Sequence, residues 1–228
     1  MKICYISNLY PPFILGGAEV YVRNIAEELA RKGDEIVVIT TSPNRRSYVE
    51  YINNVKVYRI NPANLYPIYT HVNQPELLKP LWHTIDIWNP HSYKVIRDIL
   101  IKEKPDIVHV HNFKGFSLSV FSVVKDLKIP LIFTAHDYSL ICPRANMLNS
   151  NGKICENPSK FCKIYVKLQK QILDTAMPDL VTAPSQFLIN KLRKHGFFEN
   201  NKAIKLPLGI KLSKRKIEKG YDIIDVLY

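Results

Sequence analysis

Ile3-Cys4-Tyr5-Ile6-Ser7-Asn8-Leu9-Tyr10-Pro11-Pro12, running on into Leu15-Gly16-Gly17-Ala18-Glu19, decides the fold. An apolar run reads as a buried strand and ends in a proline-rich turn. A glycine pair then opens a long amphipathic segment. Strand, turn and helix in that order put bare backbone N–H groups at the positive end of a helix, where a phosphate can bind.

The same alternation continues along the chain. Residues 17–32 read as a helix with Val20, Ile25, Leu29 and Ala30 near one face, and Gly33 is placed to end it. Residues 35–41 are continuous and β-branched, as in a strand buried on both faces. Residues 55–60 alternate and form a weaker strand. The stretch 61–90 is rich in Pro, Tyr, Asn and Trp, an irregular connection with a short helix at 76–86; long irregular segments in compact domains are often functional. Further on, helices are expected at 92–103, 117–127, 161–176 and 186–195, the last capped by Ser185 and ended by Gly196. Strands are expected at 107–111, 130–135, 179–183 and 203–206. In the 161–176 helix, Ile164, Leu168, Ile172 and Ala176 share one face. The pattern is that of an α/β domain with a mostly parallel, Rossmann-like sheet and helices on both faces. Ligands of such sheets bind beyond the carboxyl ends of the strands. The turn at 8–17, His109, His111 and Asn112, His136 with Asp137, and Ser185 all follow or end predicted strands, so they are expected to gather on one rim.

Bulk composition narrows the function. The chain has 228 residues, ample for a full core, and its apolar and charged fractions are those of an ordinary globular protein. The formal charge of +12 favours anionic partners, and it is concentrated late, between Lys191 and Lys219. No apolar run reaches the ~20 residues of a spanning helix. The N-terminal apolar stretch is broken by Asn8 and the Pro pair, so a first strand is the better reading than a signal peptide and a cytoplasmic location is expected. Four cysteines in a chain of this length do not make a secreted disulfide scaffold. No stacking motif or DNA-binding fold accompanies the charge, so no nucleic-acid partner is expected.

Each chemical motif has a plain alternative. Gly16-Gly17 is no dinucleotide fingerprint: G-x-G-x-x-G is absent and no acidic residue ends the second strand, which counts against a nicotinamide enzyme. The pair is a phosphate contact or a simple turn. His136, directly after a buried strand, can hydrogen-bond a sugar hydroxyl or act on a reacting group, or can satisfy buried backbone. His109 and His111, two residues apart, share one face of a strand and can bind metal, though no third ligand stands at useful spacing, or can serve packing and rim hydrogen bonding. Cys142, Cys155 and Cys162 can hold zinc with a fourth ligand such as His136, form a disulfide, or stay free thiols. Lys160, Lys163, Lys167 and Lys170 line one side of a helix, a solvated face or a contact with an anionic membrane.

Taken together, Pro11-Pro12, Gly16-Gly17-Ala18-Glu19, Pro105-Asp106-Ile107-Val108-His109-Val110-His111, Thr134-Ala135-His136-Asp137-Tyr138, Ala183-Pro184-Ser185-Gln186-Phe187 and Leu206-Pro207-Leu208-Gly209-Ile210 resemble the N-terminal half of a family 4 retaining glycosyltransferase of the GT-B fold. The resemblance runs from residue 1 to about 211. It implies transfer of a sugar from a nucleotide-sugar donor with retention at the anomeric carbon, in glycan, polysaccharide or glycolipid synthesis. Gly16 and Gly17 then match the donor diphosphate site and His136 the catalytic histidine at the donor sugar. His109, His111, Asn112, Asp137 and Ser185 are rim or acceptor candidates. The resemblance implies an acceptor-side domain over 1–206, with 207–228 a linker and the start of a nucleotide-sugar domain. Most of the donor site would lie in that second half, so the isolated chain is expected to be inactive. The acceptor is a sugar, a lipid-linked group or a glycan; no cofactor is expected, and a peripheral site at the inner membrane face is the variant location. The competing reading is a non-catalytic acceptor- or membrane-binding module that needs a partner domain.

Overall fold

The computed structural model describes residues 1–149 and 151–209. The expectations for 210–228, including Ile210 and most of the linker, lie outside the described residues. Strand β1 (Lys2–Ile6) leads through the Pro turn into helix α1 (Gly17–Arg31), then β2 (Glu35–Thr41). A hairpin follows, β3 (Tyr48–Ile52) and β4 (Val55–Ile60). The irregular segment holds a 3-10 helix (Ile68–Asn73) and α2 (Lys79–Ile85). Then come α3 (Pro90–Glu103), β5 (Ile107–Val110), α4 (Ser119–Asp126), β6 (Leu131–Thr134), α5 (Lys160–Thr175), β7 (Leu180–Ala183), α6 (Gln186–Lys194) and β8 (Ala203–Lys205).

These strands form one eight-stranded sheet in the order β3-β4-β2-β1-β5-β6-β7-β8. Every neighbouring pair is parallel except the β3–β4 hairpin. From β1 the chain winds outward to β2; from β5 it winds the other way, to β6, β7 and β8. The order therefore reverses between β1 and β5, and the carboxyl ends of these two strands border the crevice where doubly wound sheets bind ligands.

Alternation within the strands builds two apolar layers. Ile3 and Tyr5 of β1, with Ile36 and Val38 of β2 and Val55 and Val57 of β4, pack against Val22 and Ala26 of α1. The opposite face carries Cys4, Ile6, Val108, Val110, Leu131, Phe133 and Val181 against residues of α3, α4, α5 and α6. The helix ends follow local chemistry. Gly33 has φ +98, the left-handed conformation that closes α1. The Asn89 carboxamide accepts from the His91 and Ser92 N–H groups at the start of α3, and the Ser185 hydroxyl accepts from Leu188 N–H at 3.2 Å to cap α6.

Two faces differ from expectation. In α1 the buried stripe is Glu19, Val22 and Ala26, with Ile25, Leu29 and Ala30 packed on its flank. In α5 the buried residues are Tyr165, Gln169 and Leu173, and Ala176 is buried just beyond the helix end, whereas Ile164 (59% exposed) and Leu168 (39% exposed) face outward. At 100° per residue, Ile164 and Leu168 lie on the arc next to Phe161 and Ile172, where the apolar stripe is wider than the surface it docks on. Strand β3, absent from the sequence expectation, is an edge strand joined to β4 by Asn53 and Asn54, both at positive φ (49 and 66), the backbone of a two-residue hairpin turn.

Candidate functional site

The site is built at the β1/β5 crevice. Asn8, just beyond β1, donates its N–H to Asn112 O at 2.8 Å, and its own carbonyl accepts from Thr41 N–H at 3.1 Å. The loop ends of β2, β1 and β5 are thus stitched together. The Tyr10–Phe13 turn is held by Arg59, which the β4 strand sends fully buried beneath it. Its guanidinium donates to Tyr10 O at 3.3 Å and to Pro11 O, pairs with Glu50, and lies 5.6 Å from the centre of the Phe13 ring.

This turn delivers Gly16 and Gly17, both exposed, at the start of α1. The Gly16 N–H already donates to the Glu19 carboxylate at 2.7 Å, and Glu19 also accepts from the Asn112 side chain at 3.4 Å. Gly17 therefore opens on free space, while the Gly16 N–H is engaged within the fold.

Across the crevice stand three histidines. His109 and His111, on the same face of β5, have ring centres 4.1 Å apart, and His111 stacks on His136 at 5.1 Å. His111 Nδ1 and His136 Nε2 are 2.8 Å apart, a hydrogen bond. His109 Nε2 meets Thr134 Oγ1 at 2.7 Å, and Thr134 meets Thr182 Oγ1 at 2.7 Å, so a polar chain crosses β5, β6 and β7. Burial disfavours the imidazolium in each ring. It pushes His136 down to about 4, against the pull of the Asp137 carboxylate; His109 falls to about 3, helped by His136; His111 drops well below its ordinary value, helped by both neighbours. All three are neutral at pH 7. Tyr21 of α1 packs its ring at a steep angle against the pair, with centres 5.9 Å from His111 and 6.1 Å from His136. The start of α1 and His136 thus border one space.

A separate open cleft of about 440 Å³ lies on the same edge of the sheet, lined by Pro43 and Arg45 after β2 and by Leu65, Tyr66, Pro67, Thr70, Gln74 and Leu78 of the irregular segment. Tyr69 anchors that segment to the rim through Thr41 O at 2.8 Å.

Residues 15–214 match the family model described as Glycosyltransferase Family 4. The chain belongs to glycosyltransferase family 4. This family 4 chain is 34% identical over 201 residues to an uncharacterized 42.6 kDa protein in the cps region of Klebsiella pneumoniae, covering 88% of this chain and 53% of that protein. It is 21% identical over 206 residues to one of the subunits of the human phosphatidylinositol N-acetylglucosaminyltransferase, covering 85% of this chain and 39% of the human one. Among solved structures it resembles a sucrose-phosphate synthase from Thermosynechococcus elongatus (TM-score 0.60, 17% identity, 90% of this chain and 47% of that one). It also resembles an α,α-trehalose-phosphate synthase from Burkholderia xenovorans (TM-score 0.53, 13% identity, 92% and 50%). The chain spans about half or less of the length of the curated relatives it matches. Its fold is the N-terminal half of the GT-B architecture.

The family 4 rim gathers most, though not all, of the residues expected there. His111, Asn112, His136 and the Gly16–Gly17 turn meet around the crevice. Asp137 sits beside His136 but turns its carboxylate to the Ser139 N–H at 2.8 Å. The hydroxyl of Ser185 is engaged in the α6 cap. His109 lies deeper, bound to Thr134. Cys142, Cys155 and Cys162 are half-buried free thiols, and among the described residues no group of three or more His, Cys, Asp or Glu is placed to hold a metal. Sequence reasoning missed Glu19, Tyr21 and Arg59 as site-building residues. The one available signal was Arg59 itself, a charge in line with Val55 and Val57 on an otherwise apolar strand face.

Proposed function

We propose that this chain is the acceptor-side half of a retaining glycosyltransferase that uses a nucleotide-sugar donor, with 1–206 the acceptor domain and 207–228 leading into the half that binds the nucleotide. One observation carries the reading: Tyr21 packs on both His111 and His136, so the positive end of α1 and a neutral, half-buried imidazole face the same crevice. The Gly17 end of the helix suits the diphosphate, where charge develops as the sugar leaves, and His136 suits a hydroxyl of the donor sugar. The cleft beside Arg45 suits the acceptor. A lipid-linked acceptor is supported by the name of the human relative, which joins glycosyl transfer to phosphatidylinositol, and a polysaccharide role by the cps region of the Klebsiella relative. The lysines of α5, with Ile164 and Leu168 exposed beside them, suit a peripheral contact with an anionic membrane; among the described residues, no helix is long and apolar enough to cross one.

The test uses the full-length protein with a panel of nucleotide sugars and lipid-linked or free acceptors. Transfer with retained anomeric configuration is expected, and His136→Ala abolishes it while leaving the circular dichroism spectrum unchanged. Undiminished turnover by that variant removes His136 from the chemistry, and an inverted product removes the retaining assignment.

A further inference from the structure

The hydrogen bond between the two stacked histidines leaves a question of direction. Both rings are neutral, so one proton lies between His111 Nδ1 and His136 Nε2, and it belongs to one of them. The two arrangements leave different groups behind. If His136 donates, His111 carries its own proton on Nε2. That atom is buried and has no hydrogen-bond partner, so the arrangement strands an N–H donor in the interior. If His111 donates, its Nε2 holds only a bare lone pair. An orphaned buried N–H is rare, while a bare acceptor is tolerated more readily.

We propose that His111 is a positioning residue: its Nδ1–H donates to His136 Nε2 and locks His136 as the Nδ1–H tautomer, so that His136 presents a hydrogen-bond donor, and no free base, to the crevice. The consequence for chemistry is direct. With Nε2 engaged and Nδ1 protonated, His136 has no lone pair to take a proton from an acceptor hydroxyl. It donates to an electronegative oxygen of the ligand, a sugar hydroxyl or a developing oxyanion. Among the described residues, His136 Nδ1 has no protein partner, which leaves that N–H for a ligand. The tilted rings of Tyr21 and Tyr5 pack against His111, with centres 5.9 and 5.8 Å away. The role of His136 toward a sugar rests on the function proposed above; the tautomer does not.

The measurement is two-bond ¹⁵N–¹H correlation spectroscopy of the imidazoles in the ¹⁵N-labelled chain at pH 7. His136 is expected with its proton on Nδ1, and so is His111. In His111→Leu the donor is gone, and His136 shifts to the Nε2–H form that a free imidazole prefers. His111→Asn places an amide N–H where Nδ1 was and restores the Nδ1–H form. The amide fingerprint of each variant reports whether it folds, and the wild-type tautomer stands as a test even if neither variant does. A wild-type His136 protonated on Nε2, or an unchanged tautomer in a folded His111→Leu, overturns the proposal. Failure of the His136→Ala turnover test with the tautomers as stated would instead reject the transferase role alone.

Discussion

Replacing Arg59 by Met tests whether the rim depends on a buried charge. The guanidinium is fully buried, pairs with Glu50, and donates to the carbonyls of Tyr10 and Pro11. Met fills most of the stem but removes every donor. Breaking a buried ion pair by deleting one partner costs about 3–5 kcal/mol. The Glu50 side chain is 34% exposed, so water recovers part of its charge and the lower end applies. The two carbonyls lose bonds to a charged donor, and relief from burying the guanidinium offsets part of that. The net expectation is a loss of about 3 kcal/mol. For a chain of this length that corresponds to a fall in Tm of roughly 6–12 °C. Thermal unfolding by circular dichroism reads the loss, and hydrogen exchange reads its location: amides of residues 8–17 should exchange faster, while those of β6 and β7 change only with global stability. Arg59→Lys keeps the charge without the planar fork and should recover less than half of the loss. Adding Glu50→Gln to Arg59→Met should return part of it, because the orphaned carboxylate is then neutral. A loss below about 1 kcal/mol, with unchanged exchange at 8–17, would refute the claim that Arg59 holds the turn that presents Gly16 and Gly17.

Two further outcomes follow from charges elsewhere. Glu103 is buried, which alone would raise its pKa, yet hydrogen bonds from Lys2 (2.8 Å), Lys56 (2.7 Å) and Tyr58 hold it at about 2; a depressed carboxylate stabilises the fold above its unfolded value of 4.5 and loses that contribution as pH falls toward 2. Glu103→Gln should therefore cost about 3 kcal/mol in urea melts at pH 7, with the gap from wild type closing below pH 4; a gap independent of pH would reject the assignment. For α5, vesicles containing anionic lipid should co-sediment the protein at low salt and release it at high salt, and changing Lys160, Lys163 and Lys167 together to Gln should weaken binding by ~100-fold, at ~1 kcal/mol per lysine. Equal binding to neutral vesicles would reject an electrostatic contact.

The alternation of strands and helices was legible because the central strands are buried on both faces and read as unbroken apolar runs, and because Gly33 and Ser185 mark helix ends by chemistry that does not depend on the rest of the fold. What was not legible needed a neighbour. Strand β3 alternates half-buried with exposed residues and is supported on one edge by β4, so its residues carry little pattern; Asn53-Asn54 was the available sign. The α5 face was misread because apolar residues cover a wider arc than the surface that buries them. Glu19 looks like part of a polar helix face until its carboxylate is seen turned back to the Gly16 N–H.

The histidines show the same division between local pattern and register. Spacing alone puts His109 and His111 on one side of β5. That His111 meets His136 depends on β5 and β6 being adjacent, with Val110 opposite Phe133, which sets His111 and His136 at the ends of neighbouring strands. That Tyr21 covers both depends on α1 descending on the same face, a result of β1 leading outward to β2 while β5 leads the other way to β6. The reversal of winding leaves a gap between β1 and β5 that no crossover helix fills. One side of that gap receives the N-terminus of α1, with partial positive charge, and the other receives a neutral imidazole held by a second. The site proposed for an anionic leaving group beside a polar sugar thus lies where the winding turns, at the place where doubly wound sheets bind ligands.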